Sequence, residues 1–227
     1  MTDVPHHVQS PDPTQRVPDP LIPIPAATPQ VSLEIAPGPA AVPLADLPRW
    51  LITSFGLGLL RPASGTWGSL PPVFLAAAML WLGLGPAHGA AWTANAAPNL
   101  GPAGSFWIYH GALLLVLVAF SAVCLAYGKN AEVTFGRKDP GQAVADETAA
   151  MSMPLMFLPA AAVATPLAAS ATLAGAFIAF RIFDILKLPP ARGLQRLGGG
   201  LGILVDDLIA SLQAVLVVQL ITRLATM

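Results

Sequence analysis

Beyond about residue 48 the chain is built from long apolar runs separated by short polar or glycine-rich stretches. A helix needs about 20 mostly apolar residues to cross the hydrocarbon core of a bilayer. The pattern predicts five such segments, at residues 69–84, 106–127, 149–163, 167–186 and 203–224. The third is short and contains Pro154 and Pro159, which predicts a kinked or partly inserted segment. The stretch WLITSFGLGLLRP ahead of the first is too short to cross and reads as interfacial or re-entrant. Residues 1–48 differ: proline recurs every few positions, removing backbone donors and fixing φ, so neither helix nor sheet propagates. The predicted fold is therefore all-α. An integral membrane helical bundle of about five spans occupies residues 49–227, preceded by a disordered, Pro-rich cytoplasmic tail over 1–48.

Composition agrees with this reading. Hydrophobic residues make up 55% of the chain and charged residues only 10%, against roughly a quarter charged in soluble domains. A net charge of -1 without a basic block excludes nucleic acid as a partner. The tail lacks a basic start followed by an apolar core, so it does not read as a secretory signal. His6 and His7 in that tail read as incidental, and the lone Cys124, inside an apolar run, as a packing residue.

Lys and Arg set the orientation. With the tail cytoplasmic, five spans put Arg49, Arg61, Lys129, Arg137, Lys138, Lys187, Arg192 and Arg196 on the cytoplasmic side, and leave both outer loops without a basic residue. The acids fall at the same level. Asp139, Asp146 and Glu147 precede the third span, Asp184 closes the fourth, and Asp206 and Asp207 stand one turn into the last. A carboxylate in an apolar segment is costly even near the interface, and its recurrence on three segments needs a reason.

Plainer readings exist for several of these acids. Arg181, Asp184 and Lys187 share a helical face, where ordinary ion pairing would suffice. Asp139, before Pro140 and Gly141, has the form of a turn residue, and Asp146 with Glu147 that of first-turn acids at a helix start. Neighbouring helical residues point about 100° apart, so one acid of each doublet is expected to face the interior and the other to support it. Carboxylates converging from separate helices beside basic residues point to a divalent metal, and hard oxygen donors suit Mg²⁺ bridging to a phosphate. The GTWGSLPP stretch, with Thr66 and Ser69, has the composition of a phosphate cradle, while LGGGLG at 197–202 reads equally as a phosphate-pocket lining or a flexible turn. No thiol phosphatase loop and no Asp-x-Asp-x-Thr segment occurs. Outside the tail the histidines, His88 and His110, fall on the outer side. Metal-assisted attack of water on a phosphate ester remains. A small transporter is a weaker reading, since its ionisable groups belong near the midplane.

Three blocks, FGLGLLRPASGTWGSL, DPGQAVADETAAM and FRIFDILKLPPARGLQRLGGGLGILVDDLIA, together resemble the phosphatidylglycerophosphatase A family of bacterial membrane lipid phosphatases. The resemblance implies Mg²⁺-dependent hydrolysis of the terminal phosphomonoester of phosphatidylglycerophosphate, a step of phospholipid biosynthesis, at the cytoplasmic face of the bacterial inner membrane. It implies catalytic roles for Asp146, Glu147, Asp184, Asp206 and Asp207, with Asp146, Glu147, Asp206 and Asp207 holding metal. Thr66, Ser69, Arg181 and Lys187 are expected at the phospholipid substrate. Ser64, Ala145 and Leu188 depart from the family's usual residues without removing an acid or a conspicuous glycine. Another phospholipid or an isoprenoid phosphate is the nearest alternative substrate.

Overall fold

The computed structural model describes residues 43–187 and 199–225. The tail up to residue 42, and Leu188, Arg192, Arg196 and the start of the LGGGLG stretch, lie outside the described residues. The described part is helical, with no strand among its residues. Seven α-helices follow in order: α1 (Asp46–Ile52), α2 (Ser64–Gly68), α3 (Leu70–Trp81), α4 (Gly101–Phe135), α5 (Ala145–Met151), α6 (Pro166–Leu186) and α7 (Gly199–Ala225).

Local sequence explains the ends. Pro166 opens α6 where its missing N–H costs nothing, and Thr165 caps it by accepting from the Ala168 N–H at 3.1 Å. Gly136, at φ 69°, ends α4 in the left-handed conformation that glycine adopts without strain. The 35 residues of α4 extend for about 52 Å, well beyond a hydrocarbon core of about 30 Å, so one end projects from the apolar layer.

Among the described residues four helical stretches are long and apolar enough to cross a membrane: Ser64–Ala87, Gly101–Phe135, Pro166–Leu186 and Gly200–Ala225. The third expected segment, read from its prolines as kinked or partly inserted, is not among these helices. Residues 149–163 hold only the end of α5, a series of turns and a 3₁₀ turn at Ala160–Val163, because Pro154 and Pro159 interrupt any helix. This stretch nonetheless runs the length of the bundle beside α7. Ser211 Oγ donates to Ala150 O at 2.6 Å and Gln219 Nε2 to Phe157 O at 2.9 Å. Seven residues of irregular chain thus match eight residues of helix, about 12 Å of rise.

Backbone outside a helix survives at such depth only when protein satisfies it. Here distant side chains do so. Tyr109 Oη donates to Leu155 O at 2.9 Å, Trp92 Nε1 to Val163 O at 3.1 Å, and the Phe157 N–H donates to His110 Nε2 at 3.1 Å. His110 is thereby fixed as a support, at the opposite end of the bundle from the acids. Tyr109→Phe deletes one of these bonds inside a fully buried site. The expected result is a loss of about 1–3 kcal/mol, read as a lower thermal midpoint in detergent, with the rate per folded molecule retained.

Candidate active site

Five acids gather at one end of the bundle. Asp146, Asp184, Asp206 and Asp207 are 5%, 8%, 4% and 3% exposed, a degree of burial that carboxylates rarely reach without compensation. Asp146 and Glu147 come from the first turn of α5, Asp184 from the last turn of α6, and Asp206 and Asp207 from the third turn of α7. One oxygen each from Asp146, Glu147 and Asp207 lie within 4.8 Å of one another, a spacing that one ion could bridge. Asp146 Oδ1, Glu147 Oε2, Asp206 Oδ1 and Asp207 Oδ2 are buried with no hydrogen-bond partner. Leaving charged acceptors dry and unpaired is strongly unfavourable. A cation held by these oxygens removes that cost, so the residues fit a divalent metal with oxygen ligands.

The two cations are already placed. Arg181 Nη1 lies 2.7 Å from Asp184 Oδ2 and 3.4 Å from Ser69 Oγ, and its Nε is buried without a partner. Lys187 pairs with Asp206. Burial alone would lower the lysine pKa, but the hydrogen bond and the charge of Asp206, with Asp207 beyond it, outweigh burial and raise it. Five carboxylates face these two cations, so the site carries excess negative charge when all are ionised.

The doublets divide unequally. On α7, Asp207 joins the cluster while Asp206 turns to Lys187, the split expected of neighbours about 100° apart. On α5 both acids supply cluster oxygens.

The GTWGS block acts differently from an open cradle. It is helical, and the N–H groups of Thr66, Trp67 and Ser69 are spent on Ala63 O and Gly65 O. Its glycines allow close approach instead. A Cβ on Gly65 would press on Glu147 Oε1 and come within 2.9 Å of Arg181 Nη1, and one on Gly68 would lie 2.5 Å from Val144 Cβ. Thr148 Oγ1 donates to Gly68 O at 2.6 Å and shares a 2.6 Å bond with Ser54 Oγ, locking α5 to this block. Thr66 is half-buried on α2. Ser54 and Thr148 were missed as positioning residues because their partners are about 90 positions away.

Asp139 was also set aside as a turn residue. Its φ of 47° fits a turn, yet it stands at the rim, where Lys187 and Asp206 are among the charges acting on it.

Apolar helices of membrane-crossing length, with buried acids, an arginine and a lysine at one end, form a site suited to holding a metal ion and a phosphate. The chain belongs to the phosphatidylglycerophosphatase A family, whose profile matches residues 50–222. It is 31% identical over 173 residues to phosphatidylglycerophosphatase A of Haemophilus influenzae, covering 74% of this chain and 84% of that one. It is 28% identical over 175 residues to a Bacteroides thetaiotaomicron protein described provisionally as a phosphatidylinositol-3-phosphatase, covering 76% of this chain and 91% of that one. No solved structure matches. The family makes the protein a phosphatase enzyme and accounts for the resemblance in its three sequence blocks.

Proposed function

We propose that the protein hydrolyses the terminal phosphomonoester of phosphatidylglycerophosphate, yielding phosphatidylglycerol and phosphate in phospholipid biosynthesis, with Mg²⁺ as cofactor. The observation that carries this reading is the trio of buried, unpartnered oxygens of Asp146, Glu147 and Asp207 beside Arg181, in a chain of this family. Asp146, Glu147 and Asp207 would hold Mg²⁺, with Asp206 beside them. When bound, the ion polarises the phosphoryl group and lowers the pKa of a bound water.

The protein's own groups do the rest. Arg181, held from behind by Asp184, directs its free Nε–H toward a phosphate oxygen. Lys187, held by Asp206, supplies a second charge at the rim. Gly65 leaves room for the phosphate between α2 and the cluster, with Ser69 and Thr66 on the same block. A carboxylate not engaged with metal accepts the proton of the attacking water. The tail and the helical domain, at 1–48 and 49–227, take the roles of an appended segment and a membrane-embedded phosphatase.

Orientation belongs to the same proposal. Lys129, Arg137, Lys138 and Lys187 lie at or beyond the acidic end, while residues 82–100 and 152–165 at the other end contain no Lys or Arg. The charge bias supports a bacterial inner-membrane protein with its site at the cytoplasmic face. Acids gathered at one end also disfavour a transporter with midplane charges.

The decisive assay uses purified protein and four lipids: phosphatidylglycerophosphate, phosphatidic acid, phosphatidylinositol 3-phosphate and an isoprenoid phosphate, each with Mg²⁺ and with chelator. The expected outcome is phosphate release from the first at least about tenfold faster than from the others, and none in chelator. Undiminished release in chelator, or preference for another lipid, overturns the reading.

A further inference from the structure

A second polar cavity adjoins the acidic site, and the proposed chemistry makes no use of it. It encloses about 400 Å³ and is lined by Gly58, Leu59, Leu60, Arg61, Ser64 and Arg137 among others, a volume within the usual range for ligand pockets. Arg61 and Arg137 come from separate segments, the loop before α2 and the loop after α4. Among the described residues neither forms an ion pair. Arg137 is among the charges acting on Asp139, and the two do not form an ion pair. Two exposed guanidinium groups without an ion-pair partner line one cavity, a lining that suits an anion.

The two sites meet at neighbouring residues of α2, Ser64 and Gly65. Ser64 faces the cavity and donates its hydroxyl to Gly141 O, and the Arg137 guanidinium packs within 2.9 Å of where a Gly141 Cβ would stand. The next residue, Gly65, faces Glu147 and Arg181 on the other side. An anion in the cavity is therefore a near neighbour of the phosphate in the acidic site. The surroundings identify what carries it. Leu59 and Leu60 in the lining, and Trp67, whose indole N–H donates to Pro62 O beside Arg61, are 48%, 44% and 38% exposed, the kind of apolar and aromatic side chains found at the headgroup level of a bilayer.

We propose that this cavity seats the phosphodiester of the lipid headgroup while the terminal phosphomonoester occupies the acidic site. Arg61 and Arg137 are then the residues that select a lipid with two phosphates over one with a single monoester. The inference rests on the phosphatase reading of the acidic site and adds its specificity determinant.

The test measures binding, so it needs no turnover. Two soluble probes are titrated into detergent-solubilised protein with Mg²⁺ by calorimetry: the deacylated headgroup of phosphatidylglycerophosphate, with one phosphodiester and one phosphomonoester, and glycerol 3-phosphate, with the monoester only. Wild type is expected to hold the first about tenfold tighter. The double variant R61A/R137A should bind both alike, leaving the glycerol 3-phosphate affinity and the thermal midpoint unchanged, and R61K/R137K should fall between. Equal wild-type affinities, or equal weakening of both probes by R61A/R137A, overturns the proposal. A third arm compares nanodiscs of neutral and acidic lipid: an effect of R61A/R137A confined to acidic bilayers assigns the cavity to bulk lipid and also overturns it. If the enzyme proves to prefer a different lipid monoester, the function reading falls, while the two binding arms still decide this inference.

Discussion

Asp207→Asn is expected to lower Mg²⁺-dependent phosphate release at least about a thousandfold, roughly 4 kcal/mol of transition-state stabilisation. Its oxygen is one of three within 4.8 Å, supplied by the only member of the trio that α7 contributes. The amide keeps the shape, removes a charge and introduces an N–H₂ where a cation would sit. Asp146→Asn is expected to behave alike. The distinguishing readout is stability. In chelator the wild-type cluster packs like charges together in a dry site, so the Asn variant should melt at the same temperature as wild type or higher. Added Mg²⁺ should raise the wild-type midpoint by mass action and leave that of the variant nearly unmoved. An active Asp207→Asn protein removes that residue from the chemistry. An inactive one that melts far below wild type shows a folding role instead.

The sequence made the long helices legible because lipid imposes an apolar window, yet that window is shorter than the helix. The run at 106–127 stops before Lys129, whereas α4 continues to Phe135 and ends at Gly136. Glycine was the available stop signal there. The third segment was recognised as irregular from Pro154 and Pro159, but its supports were invisible. Tyr109 reaches Leu155 across 46 positions and Gln219 reaches Phe157 across 62. Such bonds depend on which helices are neighbours, and local pattern does not encode that.

The acids were legible for the opposite reason, since a carboxylate in an apolar run is conspicuous wherever it lies. Their division of labour was not. Nothing in the doublet at 206 and 207 says which side chain meets α5, and the rotation of α7 about its axis settles it. The glycines of GTWGS were noticed as part of a candidate phosphate cradle, but not for their close packing. Gly65 and Gly68 serve by lacking a Cβ where Glu147, Arg181 and Val144 approach.

Arg181→Ala is expected to cut kcat/KM by about 100- to 1000-fold, carried chiefly by kcat if the guanidinium meets charge that develops on the phosphoryl oxygens. The substitution also strands Asp184, which is buried and loses its 2.7 Å partner. A destabilisation of about 3–5 kcal/mol is therefore expected, and it confuses the activity loss with unfolding. The double variant Arg181→Ala/Asp184→Asn separates them, because the uncompensated carboxylate is gone. Its thermal midpoint should recover most of the loss while kcat/KM stays low. Arg181→Lys completes the series. It retains the charge but not the fork that reaches Asp184, Ser69 and the phosphate together, so partial activity is expected, about tenfold or more below wild type. If the double variant regains both stability and rate, Arg181 only neutralises Asp184. Recovery of stability alone makes the guanidinium part of the phosphate site.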